Sequence, residues 1–354
     1  MNILMAAPFN PNGRYNGGIS SIANDIYTFY STNTNKNISI YKFETCRVKR
    51  KQKEFTKFNF LNILNFIKCY SAIRKEYKKS NAEIIYFHSS CGIALLKDLL
   101  IIKHFKRKYK DARVVLHIHF ADFDKIVSNN KFVRNKILDY INLYVDDIVF
   151  LSQKTLDEFN VKCRKHLVYN YTKQNKIVNF EKENNPKHIL FVGSLDKRKG
   201  IVDLLIALKG IKMPFVLDVC GNFIDSDVEK EYKKYTNNMS NVLYHGFVNG
   251  EKKEQIFSNA SIFILPSYGE GLPIVILEAL SYGCYIISTK VGAIPEIVNN
   301  NCFGKLIEPG DVESLRKNIE QAMCNNIDFE EISKYGKSFS FMSFIEKFEH
   351  IIMK

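Results

Sequence analysis

Two glutamates in the segment "PSYGEGLPIVILEALSYGC" (266–284) have the spacing and setting of residues that could bind a ligand. Glu270 lies in a glycine-flanked turn, and Glu278 follows inside an apolar run, where a carboxylate is costly to bury without a partner. Pro273 fits the first turn of a helix that begins near Leu272. The free N–H groups of Gly271 and Leu272 at such a helix start would form an anion site.

The separation of the two glutamates indicates which anion this is. Glu278 lies six residues into the predicted helix, about 9 Å along its axis. If a diphosphate occupies the helix start, its ribose can lie over the next turns, and Glu278 can accept from two vicinal hydroxyls. Glu270 then faces the transferred group, so the pair is interpreted as contacting the two sugar rings of a nucleotide-sugar. The alternative is a Glu278 that pairs with a basic residue elsewhere, beside an ordinary turn glutamate.

A second segment, "FVGSLDKRKGIVDLL" (191–205), contributes two cations. A strand ends at Gly193, and Arg198 and Lys199 stand just before Gly200 and an apolar helix. Adjacent cations at a helix start can clamp a diphosphate, the arginine in a bidentate manner. The alternative is two solvated charges in a turn.

A glycine-bearing loop follows the first strand. In "FNPNGRYNGGISSIA" (9–23), Gly17 and Gly18 stand just before a helix. Glycines there let the backbone approach a ligand closely, and the helix start favours an anion. The spacing is not the G-x-G-x-x-G of dinucleotide sites, so an ordinary flexible loop is an equal interpretation.

The elements that position these residues form an α/β pattern that occurs twice. The first half alternates helical segments with the strands "NILMAA", "ISIYKF", "AEIIYFH", "RVVLHIHF" and "DDIVFLS". After a polar stretch near 170–187, the strands "HILFVGS", "FVLDVCG", "NVLYHGF", "ASIFILPS" and "CYIISTKV" follow. The pattern predicts two Rossmann-like, doubly wound parallel-sheet domains, 1–170 and 171–337. Ligands bind beyond the carboxyl ends of such strands, so we expect the domains to face a central cleft.

Charge is divided unequally between the halves. Residues 1–176 hold 31 Lys and Arg against 14 Asp and Glu, whereas residues 177–354 hold 20 against 23. The first half thus carries a net +17 and includes the basic runs 47–57 and 103–113. Such an excess indicates an anionic neighbour, for which an anionic membrane is favoured, although a merely solvated surface is the alternative. Nucleic acid is not expected, because the basic runs hold few aromatics and no nucleic-acid motif.

The eight cysteines form no C-x-x-C pair and no metal spacing, which indicates buried thiols in a reducing compartment.

No apolar stretch approaches the roughly 18 residues that span a bilayer, and the first residues are interpreted as a buried strand. The expected location is therefore cytoplasmic, with a peripheral position at the inner face of the membrane as an option. The amphipathic stretch 61–79 could lie on that surface or simply pack on the sheet.

The quoted segments resemble a known family. "FILPSYGEGLPIVILEALSYGCYIISTKVGAIPEIV" (263–298), with its E-x7-E frame, is similar to the donor-site signature of glycosyltransferase family 4, and "FVGSLDKRKGIVDLLIAL" (191–208) resembles that family's phosphate-binding segment. The resemblance is strong over about 186–325 and weaker in the first half. It implies the GT-B fold, with a C-terminal helix within 338–354 that packs back on the first domain. It also implies transfer of a hexosyl or N-acetylhexosaminyl group from a nucleotide-sugar, such as a UDP-sugar, with retention of configuration.

The resemblance assigns roles to matching positions of the donor-binding domain. Glu270 would contact the donor sugar, Glu278 the ribose, and Lys199 the diphosphate. The family's usual arginine after the strand is Ser194 here, so its contact is missing or is made by Arg198.

Further matches lie outside these segments. Val248 matches a position whose backbone meets the base, and Gly17 and Gly18 match the loop that approaches the phosphate and acceptor. His119, at the end of the fourth predicted strand, matches the family's cleft histidine. His117, two residues earlier, is interpreted as a core or supporting residue.

No metal or other cofactor is expected. The triplet "DFD" (122–124) resembles a D-x-D metal clamp, but basic residues and helix N-termini can neutralise a leaving diphosphate without a metal. The expected acceptor is a lipid-linked or growing surface-polysaccharide glycan. Two alternatives are a nucleotide-sugar epimerase on the same fold and a non-enzymatic protein whose basic half binds membrane or nucleic acid.

Overall fold

The computed structural model describes residues 1–9, 17–33, 37–46, 60–122, 127, 130–174 and 187–354. Most of the predicted glycine loop, the basic run 47–57, the end of "DFD" and most of the polar stretch 170–187 therefore lie outside the described residues. The chain divides into two compact units, Met1–Tyr169 with Ile345–Lys354 and Asn170–Phe344. Within these residues, each unit contains a parallel sheet of six strands.

The first unit alternates strands and helices along the chain. Its strands are β1 (Asn2–Ala7), β2 (Ser39–Glu44), β3 (Ile84–Ser89), β4 (Arg113–Ile118), β5 (Asp147–Phe150) and β6 (Arg164–Leu167). Its helices are α1 (Gly18–Thr32), α2 (Phe60–Ser80), α3 (Ile93–Lys106), α4 (Lys131–Tyr144) and α5 (Gln153–Glu158). The strand order is β2-β1-β3-β4-β5-β6, and all neighbours are parallel.

Both faces of the first sheet are covered, which explains why its central strands are buried along almost their whole length and are mostly apolar. Alternate residues such as Leu4 and Phe87 pack with α2, α3 and α4 in one buried core. Tyr86, on the other face of β3, contacts Phe348 of the C-terminal helix, and Phe348 also contacts Tyr30 of α1.

The second unit repeats the pattern. Its strands are β7 (Lys187–Val192), β8 (Phe215–Cys220), β9 (Val242–Gly246), β10 (Ile262–Leu265), β11 (Tyr285–Thr289) and β12 (Gly304–Ile307). Its helices are α6 (Ile201–Leu208), α7 (Ser226–Thr236), α8 (Gly250–Asn259), α9 (Ile274–Ser281), α10 (Ile294–Ile297), α11 (Val312–Cys324) and α12 (Phe329–Lys337). The strand order β12-β11-β10-β7-β8-β9 is that of a doubly wound sheet.

The last helix, α13 (Phe341–Met353), begins in the second unit and continues in the first. In the first unit, the Arg113 guanidinium donates to the main-chain oxygen of Ile352 at 3.0 Å near the end of α13. Asp147, which is fully buried, holds Arg113 in place at 2.8 Å. Although burial opposes it, hydrogen bonds from His166, Arg113 and Arg164 lower the pKa of the Asp147 carboxyl.

All ten predicted strands are present, but the sequence prediction missed β6 and β12. Both are four-residue edge strands, "RKHL" and "GKLI", and neither has the apolar run that marks a buried strand. Among the described residues, no helix is both long and apolar enough to cross a membrane.

The strand order reverses between β1 and β3 in the first sheet and between β7 and β10 in the second. Open α/β sheets bind ligands at such switch points, beyond the carboxyl ends of the strands. The loops after β7 and β10 carry the predicted cations and Glu270, so the topology brings these two sequence motifs to one place.

Candidate functional site

The loops that follow β7 and β10 are joined by backbone contacts. We call residues 193–200 the cation loop and residues 266–273 the acidic turn. The Tyr268 N–H donates to the main-chain oxygen of Arg198 at 2.8 Å, and the Arg198 guanidinium donates to the main-chain oxygen of Gly269 at 2.9 Å. At Gly200, where φ is 71°, a Cβ would lie 2.2 Å from the main-chain oxygen of Pro266. Only glycine permits this approach, so the two loops are held edge to edge.

The charged groups of the two loops converge on one carboxylate. The Nζ of Lys199 lies 2.7 Å from Oε1 of Glu270, and Nη1 of Arg198 lies 3.4 Å from the same oxygen. The side chains of Lys199 and Glu270 are only 13% and 8% exposed, whereas that of Arg198 is 49% exposed. The three predicted site residues therefore form one cluster, in which Glu270 is ion-paired with both Arg198 and Lys199.

Asp196 shapes the cation loop. Its carboxylate accepts from the main-chain N–H of Lys199 at 3.0 Å and caps a 3₁₀ turn, Lys197–Lys199. Ser194 donates its hydroxyl to the other oxygen of Asp196 at 2.8 Å. Ser194, which stands where the family usually has an arginine, thus supports the turn that presents Arg198 and Lys199.

Glu278 lies on α9, and the predicted start of this helix is wrong by two residues. The helix begins at Ile274, and Pro273 is its N-cap rather than a residue of its first turn. Glu278 is then the fifth helical residue, about 6 Å from the helix start instead of about 9 Å. The predicted helix started too early because Pro273 also fits the residue before a helix, where its extended ψ of 120° places it.

Glu278 has a basic partner that the sequence prediction did not find. The Nζ of Lys253, on α8, lies 2.6 Å from Oε1 of Glu278. The other oxygen, Oε2, is buried and has no hydrogen-bond partner within the described part of the chain. Pairing with a basic residue elsewhere, the alternative interpretation, is therefore correct for one oxygen only.

The acidic turn is held through its carbonyl groups. The main-chain oxygen of Gly271 accepts from the N–H of Ala293 at 2.9 Å, and that of Leu272 accepts from the side-chain amide of Asn170 at 2.6 Å. The N–H groups of Gly271 and Leu272 donate to no acceptor among the described residues. These two amides lie in the turn just before α9, close to a helix N-terminus, which favours an anion.

Three further predicted positions are Val248 in the second unit and Gly17 and Gly18 in the first. The Val248 side chain is buried just after β9, and a base contact through its backbone stays a prediction. Gly17 is the N-cap of α1 and Gly18 is its first residue, while the rest of their loop lies outside the described residues.

His119 in the first unit belongs to a cluster of three histidines. It follows β4 directly, its N–H donates to the main-chain oxygen of Ser89 at 2.8 Å, and its Nε2 lies 2.8 Å from Nδ1 of His88. His117 is fully buried and its Nδ1 lies 3.1 Å from the Tyr86 hydroxyl, which confirms it as a core residue. His88 was missed because β3 contains no sequence pattern that distinguishes it from a core residue.

Burial keeps these imidazoles neutral. Desolvation lowers the pKa of His119 to about 3 and the pKa values of His88 and His117 well below the ordinary histidine value. A neutral His119 cannot act as a cation toward a phosphate at physiological pH. It can donate or accept a hydrogen bond, as a contact to a sugar hydroxyl requires.

The three histidines are also the described group best placed to hold a metal, since their ligand atoms lie within 4.8 Å of one another. A metal must lie near the plane of each imidazole that binds it. The rings of His117 and His119 instead stack with their centroids 4.0 Å apart and 27° between their planes, and His88 is hydrogen-bonded to His119. This packing does not favour a shared ion, and the absence of a metal requirement stays a prediction.

The second unit has a recognisable family match. Residues 172–339 match the family model described as glycosyl transferases group 1. Residues 172–339 therefore form a glycosyltransferase domain of this family. The matched region contains the cation loop, the acidic turn and α9, so the cluster lies in the glycosyltransferase domain.

Comparisons over the whole chain agree. An uncharacterized glycosyltransferase of Methanocaldococcus jannaschii is 25% identical, with 96% of this chain and 93% of the relative covered. The structure is similar to the lipopolysaccharide outer core galactosyltransferase WaaB, with a TM-score of 0.75, 19% identity and coverage of 100% and 99%. It is also similar to HepE of Anabaena in complex with UDP and glucose, with a TM-score of 0.69, 16% identity and 99% of each chain covered. The GT-B fold predicted for this glycosyltransferase is confirmed.

Proposed function

We propose that this glycosyltransferase moves a sugar from a nucleoside-diphosphate sugar to an acceptor hydroxyl and retains the anomeric configuration. The observation that carries the proposal is the convergence of Lys199 and Arg198 on Glu270 at the switch point of the second sheet. Beside them, the turn just before α9 holds two amides without an acceptor among the described residues, and α9 carries Glu278. HepE, a structural neighbour, holds UDP and glucose, which supports a donor of this class.

In the proposed reaction the bond between the anomeric carbon and the diphosphate oxygen breaks, and the carbon bonds to the acceptor oxygen. The diphosphate leaves with the electron pair, and the acceptor proton passes to a phosphate oxygen. Lys199, Arg198 and the N–H groups of Gly271 and Leu272 stabilise the charge that grows on the leaving group. Glu270 accepts hydrogen bonds from hydroxyls of the transferred sugar, and the resemblance implies a sugar contact for His119.

The proposed retention is explained if the acceptor hydroxyl attacks the anomeric carbon from the same face that the diphosphate leaves. A double displacement with retention would need a side-chain nucleophile. Glu270 supplies the carboxylate of the cluster with Lys199 and Arg198. Because both cations are paired with its Oε1, Glu270 is a weak nucleophile. The leaving phosphate is then the base that remains for the acceptor proton.

The proposed acceptor is a lipid-linked or growing surface glycan. The neighbour WaaB is named for transfer to the lipopolysaccharide outer core, and the first half of this chain carries the positive excess. On α2, the buried Asn65, Cys69 and Ile73 face the sheet. The opposite stripe exposes Ile67, at 54%, followed by lysines. Peripheral contact of this stripe with an anionic membrane is part of the proposal, and it does not involve Phe66, which packs against the core.

A donor screen tests the proposal. Melting temperature is measured with UDP-, GDP- and ADP-sugars and with the free nucleotides, because a ligand that binds only the folded state raises it. We expect one nucleotide class to raise the melting temperature, and a screen in which no nucleotide raises it would overturn the donor assignment.

Incubation of the protein with the active donor alone then distinguishes transfer from epimerisation. A new sugar epimer formed without acceptor would favour the epimerase, and NMR of a glycoside product gives the anomeric configuration.

A further inference from the structure

Lys253 is a charged residue near the proposed nucleotide site that neither the sequence motifs nor the proposed mechanism uses. It lies in the first half of α8, while Glu278 lies on α9, and the two side chains are 30% and 20% exposed. Their ion pair of 2.6 Å is among the shortest contacts of the second unit. The Lys253 ammonium also lies 5.6 Å from the centre of the Phe257 ring, which limits the positions it can adopt.

This pair leaves Glu278 half satisfied. Oε1 accepts from Lys253, whereas Oε2 is buried without a partner among the described residues. A buried carboxylate oxygen without a donor is unfavourable, and a bound group with a hydroxyl removes this deficit. An ionised carboxylate offers about two lone-pair sites on each oxygen, so two neighbouring hydroxyls can donate, one to Oε2 and one to the remaining site on Oε1.

We propose that Lys253 is a positioning residue that holds Glu278 so that its unpaired oxygen selects a ribonucleotide over a 2′-deoxyribonucleotide. The inference rests on the proposed function, because it assumes that a nucleotide occupies the start of α9. A site built to hydrogen-bond a hydroxyl strongly rejects the analogue that lacks it, since its own polar group is then left unpaired. Without Lys253, Glu278 loses its fixed orientation and its counter-charge, and this discrimination is lost.

The experiment compares affinities for matched nucleotide pairs by calorimetry. UDP is paired with 2′-deoxy-UDP, and GDP with 2′-deoxy-GDP, so that each pair differs only in the hydroxyl. The proteins are the wild type, Lys253→Met, Lys253→Arg and the control Lys252→Met. Lys252 is the exposed neighbour on the same helix, so its variant removes the same charge from the same segment without touching Glu278. Melting temperature without ligand shows that each variant is folded.

We expect the wild type and Lys252→Met to prefer the ribonucleotide at least about tenfold. Lys253→Met should bind the ribonucleotide about tenfold more weakly and prefer it by less than about threefold, and Lys253→Arg should restore part of the preference. A Lys253→Met variant that keeps the wild-type ratio overturns the inference, even if both affinities fall, because Lys253 then contributes charge alone. A wild type that binds nucleotide without preference overturns it as well. A wild type that binds no nucleotide overturns the proposed function and this inference with it.

Discussion

The Nζ of Lys199 lies 2.7 Å from Oε1 of Glu270, and this ion pair connects the loops that follow β7 and β10. The lysine that is proposed to bind the donor diphosphate is therefore already neutralised by the carboxylate that is proposed to bind the donor sugar. A diphosphate must compete with Glu270 for this lysine, so the two residues cannot be assigned independent effects on binding.

Replacing Glu270 separates the two contributions. Glu270→Gln removes the competing charge, so we expect UDP or GDP to bind at least as tightly as to the wild type. Turnover should fall about a hundredfold, because hydrogen bonds to the transferred sugar are weakened. Calorimetry measures the first quantity, and donor-dependent product formation the second. Glu251→Gln, at an exposed position on α8, is the control. Weaker nucleotide binding with unchanged turnover would contradict the assignment.

Lys199→Met is expected to weaken nucleoside-diphosphate binding by about ten- to a hundredfold, because a charge-assisted hydrogen bond contributes about 1.5–3 kcal/mol. The matched control is Lys197→Met. Lys197 belongs to the same 3₁₀ turn but is exposed, so its loss should change affinity less than threefold. Equal effects of the two substitutions would show that the loop acts only through its overall charge.

Glu278→Gln keeps the shape of the side chain and removes its charge. We expect nucleotide affinity to fall about tenfold, because the neutral amide accepts hydroxyl hydrogen bonds through one oxygen only. The turnover number at saturating donor should change little, in contrast to Glu270→Gln, because the ribose does not react. Separate measurement of kcat and KM tests this, and a fall in kcat with an unchanged KM would contradict a ribose contact.

The neutral histidine cluster makes stability dependent on pH. The pKa values of His88, His117 and His119 are lowered in the folded state, with that of His119 at about 3, whereas an unfolded histidine has a pKa of about 6.5. Below that pH the unfolded chain binds more protons, so the free energy of unfolding falls as pH falls. Each histidine contributes a decrease of about 1.4 kcal/mol between pH 7.5 and 5.5.

Urea unfolding at these two pH values is the measurement for the histidine prediction. His117→Leu should remove about one histidine's share of the decrease, whatever its effect on absolute stability. His350→Gln removes an exposed histidine and controls for the loss of an imidazole as such. An unchanged pH dependence in His117→Leu would mean that the pKa of His117 is the same in the folded and the unfolded protein, which would contradict the prediction.

The proposed membrane contact depends on the outer stripe of α2. We expect the protein to co-sediment with vesicles of phosphatidylglycerol but not with vesicles of phosphatidylcholine, and less at high salt. Ile67→Ser should reduce the bound fraction severalfold, because it removes an exposed apolar side chain from the contact. Ser71→Ala, on the same exposed stripe, is the control. Equal binding to both kinds of vesicle, or none, would contradict the proposal.

Local sequence signals determined much of this protein. The apolar runs and helical periods located ten of the twelve strands found in the described residues, and the doubly wound class, because a strand buried on both faces is mostly apolar. The E-x7-E frame and the adjacent cations located Glu270, Glu278, Arg198 and Lys199, since glycine turns and helix starts are local features. The predicted start of α9 was two residues too early, because proline is compatible both with the first turn of a helix and with the residue just before it.

Only the tertiary structure determined which of these residues meet. Sheet order places β7 beside β10, although Lys199 and Glu270 are 71 positions apart in the sequence, and thereby creates their ion pair. Lys253 and His88 had no sequence signal, because an ordinary helix lysine and an ordinary strand histidine acquire their roles only from partners on other elements. Ion pairs and buried hydrogen bonds depend on distances of a few ångströms between segments remote in the chain, and the packing of the sheet sets those distances.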